Sequence, residues 1–282
     1  MGVLFHETTQ RHMTQTSPSF SFDRFASQRF YTAANQRLLD LVSLGSGQTV
    51  VDLGCGTGAV TRLMLSTANG LVVVAADPSA EMLEEAKTNL SDVAAKVIFV
   101  RAGAENLSKY LPTKVDAVVF CNAIHLISDK AVVMREISKV LGPGRRFAFN
   151  TAFFEGAMPA PTLPFYKKLM LKTVRILRRD YGLKHQKREK TEARQFLTPD
   201  EYQELLLRCN FRIMHQEVVE MQMPFEAVQA IVEFDDFIAG ALPGVPPALG
   251  SVALKKAAAE AFDELGMPWL PRNWLQIVAG KA

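Results

Sequence analysis

The chain has 282 residues, 48% of them hydrophobic, and a formal charge of +3. That is enough for one large domain or a domain with a cap, and too little net charge to argue for nucleic acid as the main partner. Three scattered cysteines, Cys55, Cys121 and Cys209, show neither metal-type spacing nor a pairing framework, and no charged leader or membrane-length apolar run is present. The expectation is a soluble cytoplasmic protein without a metal site, its cysteines serving as small buried fillers.

Residues 1–48 read as an N-terminal helical lid, with Tyr31 on the amphipathic stretch FDRFASQRFYTAAN. From 49 to 154, short β-branched runs (TVVDL, LVVVAAD, KVIFVRA, VDAVVF, RRFAFNTAFF) alternate with helical stretches (GAVTRLMLSTAN, SAEMLEEAKTNL, DKAVVMREISKVLG). Near-continuous apolar strands alternating with helices predict a doubly wound α/β fold, a mostly parallel sheet covered on both faces. Residues 155–197 contain no strand candidate and read as a helical cap insertion. Residues 198–282 open on the capping box Thr198/Glu201 with Pro199 at the first helical position. A strand, FRIMHQEVVEMQ, two helical stretches from about Phe225 and Ser251, and a last strand, NWLQIVAGK, then close the same fold. Phe234, Phe237 and Trp269 are expected to wall an apolar acceptor pocket.

The run VVDLGCGTG, Val50 to Gly58, places glycines where a strand turns into a helix. Glycine there permits positive φ and lets backbone approach a ligand, while the helix N-terminus supplies N–H donors. Two cofactor classes use this geometry. Gly54, Gly56 and Ala59 satisfy the loose dinucleotide pattern. The other class is S-adenosylmethionine, whose amino acid end carries an ammonium group. Asp52, two residues before the first glycine, suits an ammonium and repels a pyrophosphate, so it favours S-adenosylmethionine over a nicotinamide cofactor.

With these residues in view, the chain resembles the class I S-adenosylmethionine-dependent methyltransferases, in their small-molecule branch typified by quinone and malonyl-carrier methyltransferases. VVDLGCGTG matches the family's first motif and VVVAADPSAEMLEEA its second; RAGAENL, VDAVVFCNAIHLI and REISKVLGPGRRFAF match later elements. The resemblance covers about Phe22 to Phe154. It implies a Rossmann-like methyltransferase fold in which Asp52, Gly54, Gly56 and Gly58 hold the amino acid end of S-adenosylmethionine. It also implies that Asp77 takes the ribose hydroxyls, Met82 packs on the adenine, and Tyr31 folds over the cofactor. Ala104, Glu105 and Asn122 are the remaining cofactor contacts. The aspartate that commonly meets the adenine amino group falls at Gly103, so adenine recognition passes to backbone or to Glu105. Asp77 has a competing reading as a helix N-cap, Met82 and Tyr31 as core, and Asn122 as a turn residue.

His125, just beyond the fourth strand, stands where ligands bind in such sheets. It is the candidate general base wherever the acceptor must lose a proton, with packing as the competing role. The expected reaction is methyl transfer to a small, lipophilic or carrier-attached organic acceptor, at oxygen or carbon. A nucleic-acid methyltransferase is the alternative suggested by the basic segment, but CNAIHL stands where an Asn-Pro-Pro-Tyr tetrad would be. A nicotinamide dehydrogenase is the other.

Residues 167–194 carry eleven Lys/Arg against Asp180, Glu189 and Glu192, a net of +8. Helical periodicity puts Met170, Val174, Leu177 and Tyr181 on one face and Lys168, Lys172, Arg175 and Arg179 on the other. A basic face of this kind predicts an acidic carrier protein or an anionic membrane surface as partner, or else a solvated cap helix.

Overall fold

The computed structural model describes residues 23–93, 96–183 and 196–282. The first 22 residues of the expected lid, and 184–195 of the basic segment, lie outside them. The described chain begins with a short α1 (Asp23–Ala26) and α2 (Arg29–Val42). The alternating core follows: β1 (Thr49–Leu53), α3 (Ala59–Thr67), β2 (Val72–Asp77), α4 (Ala80–Asn89), β3 (Lys96–Arg101), β4 (Val115–Cys121), α5 (Lys130–Val140) and β5 (Leu141–Thr151). Beyond it come α6 (Thr162–Tyr181), α7 (Pro199–Arg208), β6 (Phe211–Met223), α8 (Phe225–Ile231), α9 (Asp235–Ala241), α10 (Pro247–Leu265) and β7 (Leu270–Lys281).

The strands form one seven-stranded sheet in the order β3-β2-β1-β4-β5-β7-β6. β1 to β5 run parallel, and β7 enters antiparallel between β5 and β6. The predicted doubly wound sheet is therefore present, and its apolar strands have the expected cause. β1, β2 and β4 are buried almost throughout because helices cover both faces. The edge strand β6 is buried only at its ends, Phe211 and Met223, and is half-buried or exposed between them. One bulge interrupts the β4/β5 register between Val115 and Ala117, opposite the Gly142-Pro143-Gly144 stretch of β5.

Local chemistry sets the helix starts. Ser79 caps α4, its hydroxyl accepting from the Met82 amide at 3.2 Å, and Asp129 caps α5 by accepting from the Val132 amide at 3.0 Å. The Thr198/Glu201 capping box is formed in both directions. β7 starts three residues earlier than NWLQIVAGK suggests, at Leu270, because β6 continues to pair with it there.

A cap core lies over one face of the sheet. It joins Phe30, Tyr31 and Ala34 of α2, Phe165 and Leu169 of α6, Ala257 and Phe262 of α10, and Trp274 of β7. α2 is tied down to the far edge of the sheet by Arg37, which donates through Nε and Nη2 to both carboxylate oxygens of Glu217 at 2.8 and 3.0 Å. The cap also revises two expectations. Trp269 is 40% exposed, and the buried indole is that of Trp274; Phe234 and Phe237 are half-buried. On α6 the buried face runs through Phe165, Leu169, Thr173, Ile176 and Leu177, so Met170 and Val174 flank it and Tyr181 is exposed. The face is turned because Phe165 packs edge-on against Phe262 of α10, with ring centres 5.1 Å apart. No described helix is long and apolar enough to cross a membrane.

Truncation of Phe165 to Ala should cost about 3–5 kcal/mol of stability, and Tyr181→Ala less than about 0.5. Denaturant unfolding of both variants checks this. Equal losses would mean that α6 packs through the face the periodicity indicated.

Candidate cofactor and acceptor site

The strand order reverses between β1 and β4, so connections leave the two strands on opposite faces and open a crevice at their carboxyl ends. The glycine turn after β1 lies at this crevice. Gly54 has φ +68°, and a Cβ there would come within 3.1 Å of the Phe120 ring and 3.2 Å of Ala123, so only glycine lets β1 and β4 close up. Gly56 has φ +52° but faces open space, which leaves bare backbone for a ligand to approach. Gly58 ends the turn as the residue before α3.

Asp52 is 1% exposed, and its Oδ2 accepts from the Thr61 hydroxyl of α3 at 2.5 Å. Burial pushes its carboxyl up to about 7, the charge of Asp77 adding to the shift and the Thr61 hydrogen bond opposing it. A carboxylate so costly to keep charged gains when a cation arrives. Asp77 ends β2, and its competing role as a helix cap goes to Ser79 instead. Its Oδ1 accepts from the Ser79 amide at 2.9 Å and its Oδ2 from the Gly56 amide at 3.0 Å, which fixes the carboxylate at the rim of the glycine turn. A cleft of about 470 Å³ opens between α2 and the start of α3, lined among others by Tyr31, Asn35, Thr57, Gly58 and Ala59. Tyr31 is buried there, and burial raises its phenol well above the ordinary range.

The remaining predicted residues occupy the same sheet edge in different ways. Met82 is half-buried in the first turn of α4. Ala104 is buried and Glu105 exposed at the start of a short 3-10 turn after β3. Asn122 has φ +47° and makes the turn out of β4. Its Oδ1 accepts from the Ala152 amide at 3.0 Å, and its own amide donates to Asn150 Oδ1 at 2.9 Å. Asn122 thus locks the ends of β4 and β5 together.

His125 is 8% exposed in a short 3-10 turn after β4. Its Nδ1 lies 3.5 Å from Thr151 Oγ1, and its ring stacks on Phe153 with centres 4.1 Å apart. Sequence reasoning missed Thr61, Asn35, Asn150, Gln276 and Arg272. The Asn150 amide donates to Asn35 Oδ1 at 3.0 Å, and the Gln276 amide donates to the Ala34 carbonyl at 2.9 Å. Arg272 and Gln276, each two positions from Trp274 and so on the same face of β7, were the available signal. All three cysteines are buried and free, as expected.

Comparison with known proteins decides the family. Residues 50–144 match the model described as "Methyltransferase domain". Demethylmenaquinone methyltransferase of Thermotoga maritima is 30% identical over 198 residues, which are 68% of this chain and 82% of that protein. The chain belongs to the class I S-adenosylmethionine-dependent methyltransferases. It is also similar to 27-O-demethylrifamycin SV methyltransferase of Amycolatopsis mediterranei, 31% identical over 121 residues, 42% of this chain and 44% of that one. Among solved structures, a putative methyltransferase from Bacillus halodurans superposes with a TM-score of 0.57 at 15% identity, covering 88% of this chain and 99% of that one. The chain spans less than half the length of the first curated relatives it matches. Family membership sets aside the nicotinamide reading. S-adenosylmethionine is the family's cofactor, and the open side of Gly56, the rim position of Asp77 and the strained charge of Asp52 fit it.

Two outcomes follow for binding. Asp77→Ala should weaken S-adenosylmethionine by about 1.5–3 kcal/mol through loss of a charged acceptor, which calorimetry reads directly. For Asp52, an ammonium partner would lower a carboxyl that stands near 7 in the free protein. Affinity is then fully present above about pH 7 and falls by up to about tenfold per unit below it. Asp52→Asn should flatten that slope; a parent affinity independent of pH between 5.5 and 7.5 would remove Asp52 from the site.

Proposed function

We propose that the chain transfers a methyl group from S-adenosylmethionine to a small organic acceptor with an apolar body, at oxygen or carbon. One observation carries the reading: at the β1/β4 crevice, Asp52, the bare glycine turn and Asp77 stand on one side and His125 on the other. The names of the relatives that act on demethylmenaquinone and on 27-O-demethylrifamycin SV support an organic acceptor.

The cofactor supplies an electrophilic methyl group on a positively charged sulfur. Displacement at that carbon needs alignment above all. In this reading Asp52 and the glycine turn hold the amino acid end, Asp77 holds the ribose, and Tyr31 closes the cleft. His125 takes the proton released by the acceptor as the new bond to carbon forms. Thr151 and the stacked Phe153 ring hold the imidazole in place, which is what a positioned base requires. Replacing His125 by Asn should lower kcat about a hundredfold or more on an acceptor with a weakly acidic proton, while leaving cofactor affinity unchanged. Product mass spectrometry with a panel of phenols and enolisable acids, together with a cofactor titration, makes the test. A variant as fast as the parent on every acceptor would leave His125 a packing residue.

The outer face of α6 supports a membrane partner more than an acidic carrier. Lys168 and Lys172 are engaged with Glu264 and Glu260 of α10, and Arg179 with Asp180. Lys167, Arg175 and Arg178 have no ion pair among the described residues, and Leu163 and Leu171, 56% and 61% exposed, share their sector of the helix. Protruding leucines among free cations suit an anionic bilayer, which offers both charge and hydrocarbon. The parent should float with phosphatidylglycerol vesicles at low salt and not with phosphatidylcholine vesicles. The double variant Leu163→Asp, Leu171→Asp should stay behind. No flotation of the parent would make this a solvated face.

A further inference from the structure

Arg272 is the most unusual charge in the molecule. It lies in β7, three residues before Leu275, which pairs with Thr151 at the end of β5. Because the two strands are antiparallel, Arg272 stands past the carboxyl end of β5, on the ligand edge of the sheet. It is 5% exposed and forms no ion pair among the described residues. Its Nε, at 3.0 Å, and its Nη2 both donate to a single acceptor, the Ala152 carbonyl. A guanidinium has five N–H donors and cannot shed its charge, so among the described residues one neutral carbonyl is the only hydrogen-bond acceptor it meets, and no carboxylate answers the charge. Burial lowers its pKa, and the Tyr166 phenol opposes that shift.

A second orphan lies on the same face of the strand. Trp274 is 1% exposed, and its indole N–H has no acceptor among the described residues. A third residue ties the guanidinium to the candidate base. The Arg272 guanidinium lies 5.3 Å from the centre of the Phe153 ring, the ring on which His125 stacks. A buried charge without a counter-ion costs several kcal/mol. Among the described residues it meets one carbonyl and one aromatic ring, the ring that also stacks on the candidate base.

We propose that Arg272, with the Trp274 indole N–H on the same face of β7, is the anchor for a carboxylate on the methyl acceptor, which makes the acceptor an organic acid. The inference rests on the methyl-transfer reading above and narrows its substrate class. A carboxylate fits better than a phosphate, because one guanidinium balances one negative charge and its planar fork matches two oxygens. The apolar body of the acid would lie along Phe153, and its reacting atom would be presented towards His125. The site then discriminates by charge: the neutral amide of the same acid would leave the guanidinium desolvated and unpaired.

The experiment is calorimetric titration of the full chain, with and without saturating S-adenosylhomocysteine, using benzoate, trans-cinnamate and octanoate as probes. Each acid is paired with its primary amide. At least one acid should bind about tenfold more tightly than its amide, as expected for a buried charge-assisted pair. Arg272→Gln should abolish that preference, and Arg272→Lys should retain part of it. S-adenosylhomocysteine affinity should be unchanged in both variants. If Arg272→Gln does not fold, Trp274→Phe, which keeps the packed ring and removes the N–H, is read in its place. It should lower the acid preference about threefold or more. Parent protein that prefers no acid over its amide, or a variant that keeps the full preference, overturns the proposal. Failure of the parent to bind S-adenosylhomocysteine counts against the methyl-transfer reading alone, since the acid titrations without it still test the anchor.

Discussion

Between β1 and β4 the sheet changes direction, and the chain must leave the carboxyl ends of those strands on opposite faces. The crevice this opens brings the glycine turn together with the carboxylates of Asp52 and Asp77. Gly54 exists because β4 comes too close for a side chain, and Gly56 keeps its outer side bare. Asp52 is carried into the crevice on a strand buried on both sides, which is why its charge is held there at such cost.

The acceptor side of the crevice is built from farther away. Asn122 ties β4 to β5, Asn150 reaches α2, and Gln276 of β7 holds the backbone of the same helix. These amides form a polar seam beneath an otherwise apolar cap, and they fix where Tyr31 and His125 stand. The seam is only partly satisfied: Asn35 Nδ2 and Gln276 Oε1 are buried with no partner among the described residues.

Electrostatics divides the cap into an answered and an unanswered half. On α6, Lys168 and Lys172 find Glu264 and Glu260 across the helix pair, where two exposed side chains cost little to hold. Arg272 forms no ion pair among the described residues, though it is far more deeply buried.

The sequence by itself determined what depends on near neighbours. Alternating runs specify a parallel sheet because strands buried on both faces must be apolar throughout. The Thr198/Glu201 capping box is legible because its hydrogen bonds close within three residues, and the turn from Gly54 to Gly58 because its positive φ angles select glycine. Ser79 rather than Asp77 caps α4 for the same local reason, and reading that hydroxyl would have settled the ambiguity. Tertiary structure alone decided the rest. Helical periodicity gave α6 an apolar face, but Phe262, almost a hundred residues on, chose which side is buried. Trp274 and not Trp269 lies inside because β6 pairs with β7 from Leu270 onward, which sets the face each residue presents. Arg272 meets Ala152 across 120 residues and Phe153 beside it. Such contacts leave no local signature, since they depend on where antiparallel β7 places its alternate residues, and that is fixed only when the sheet is assembled.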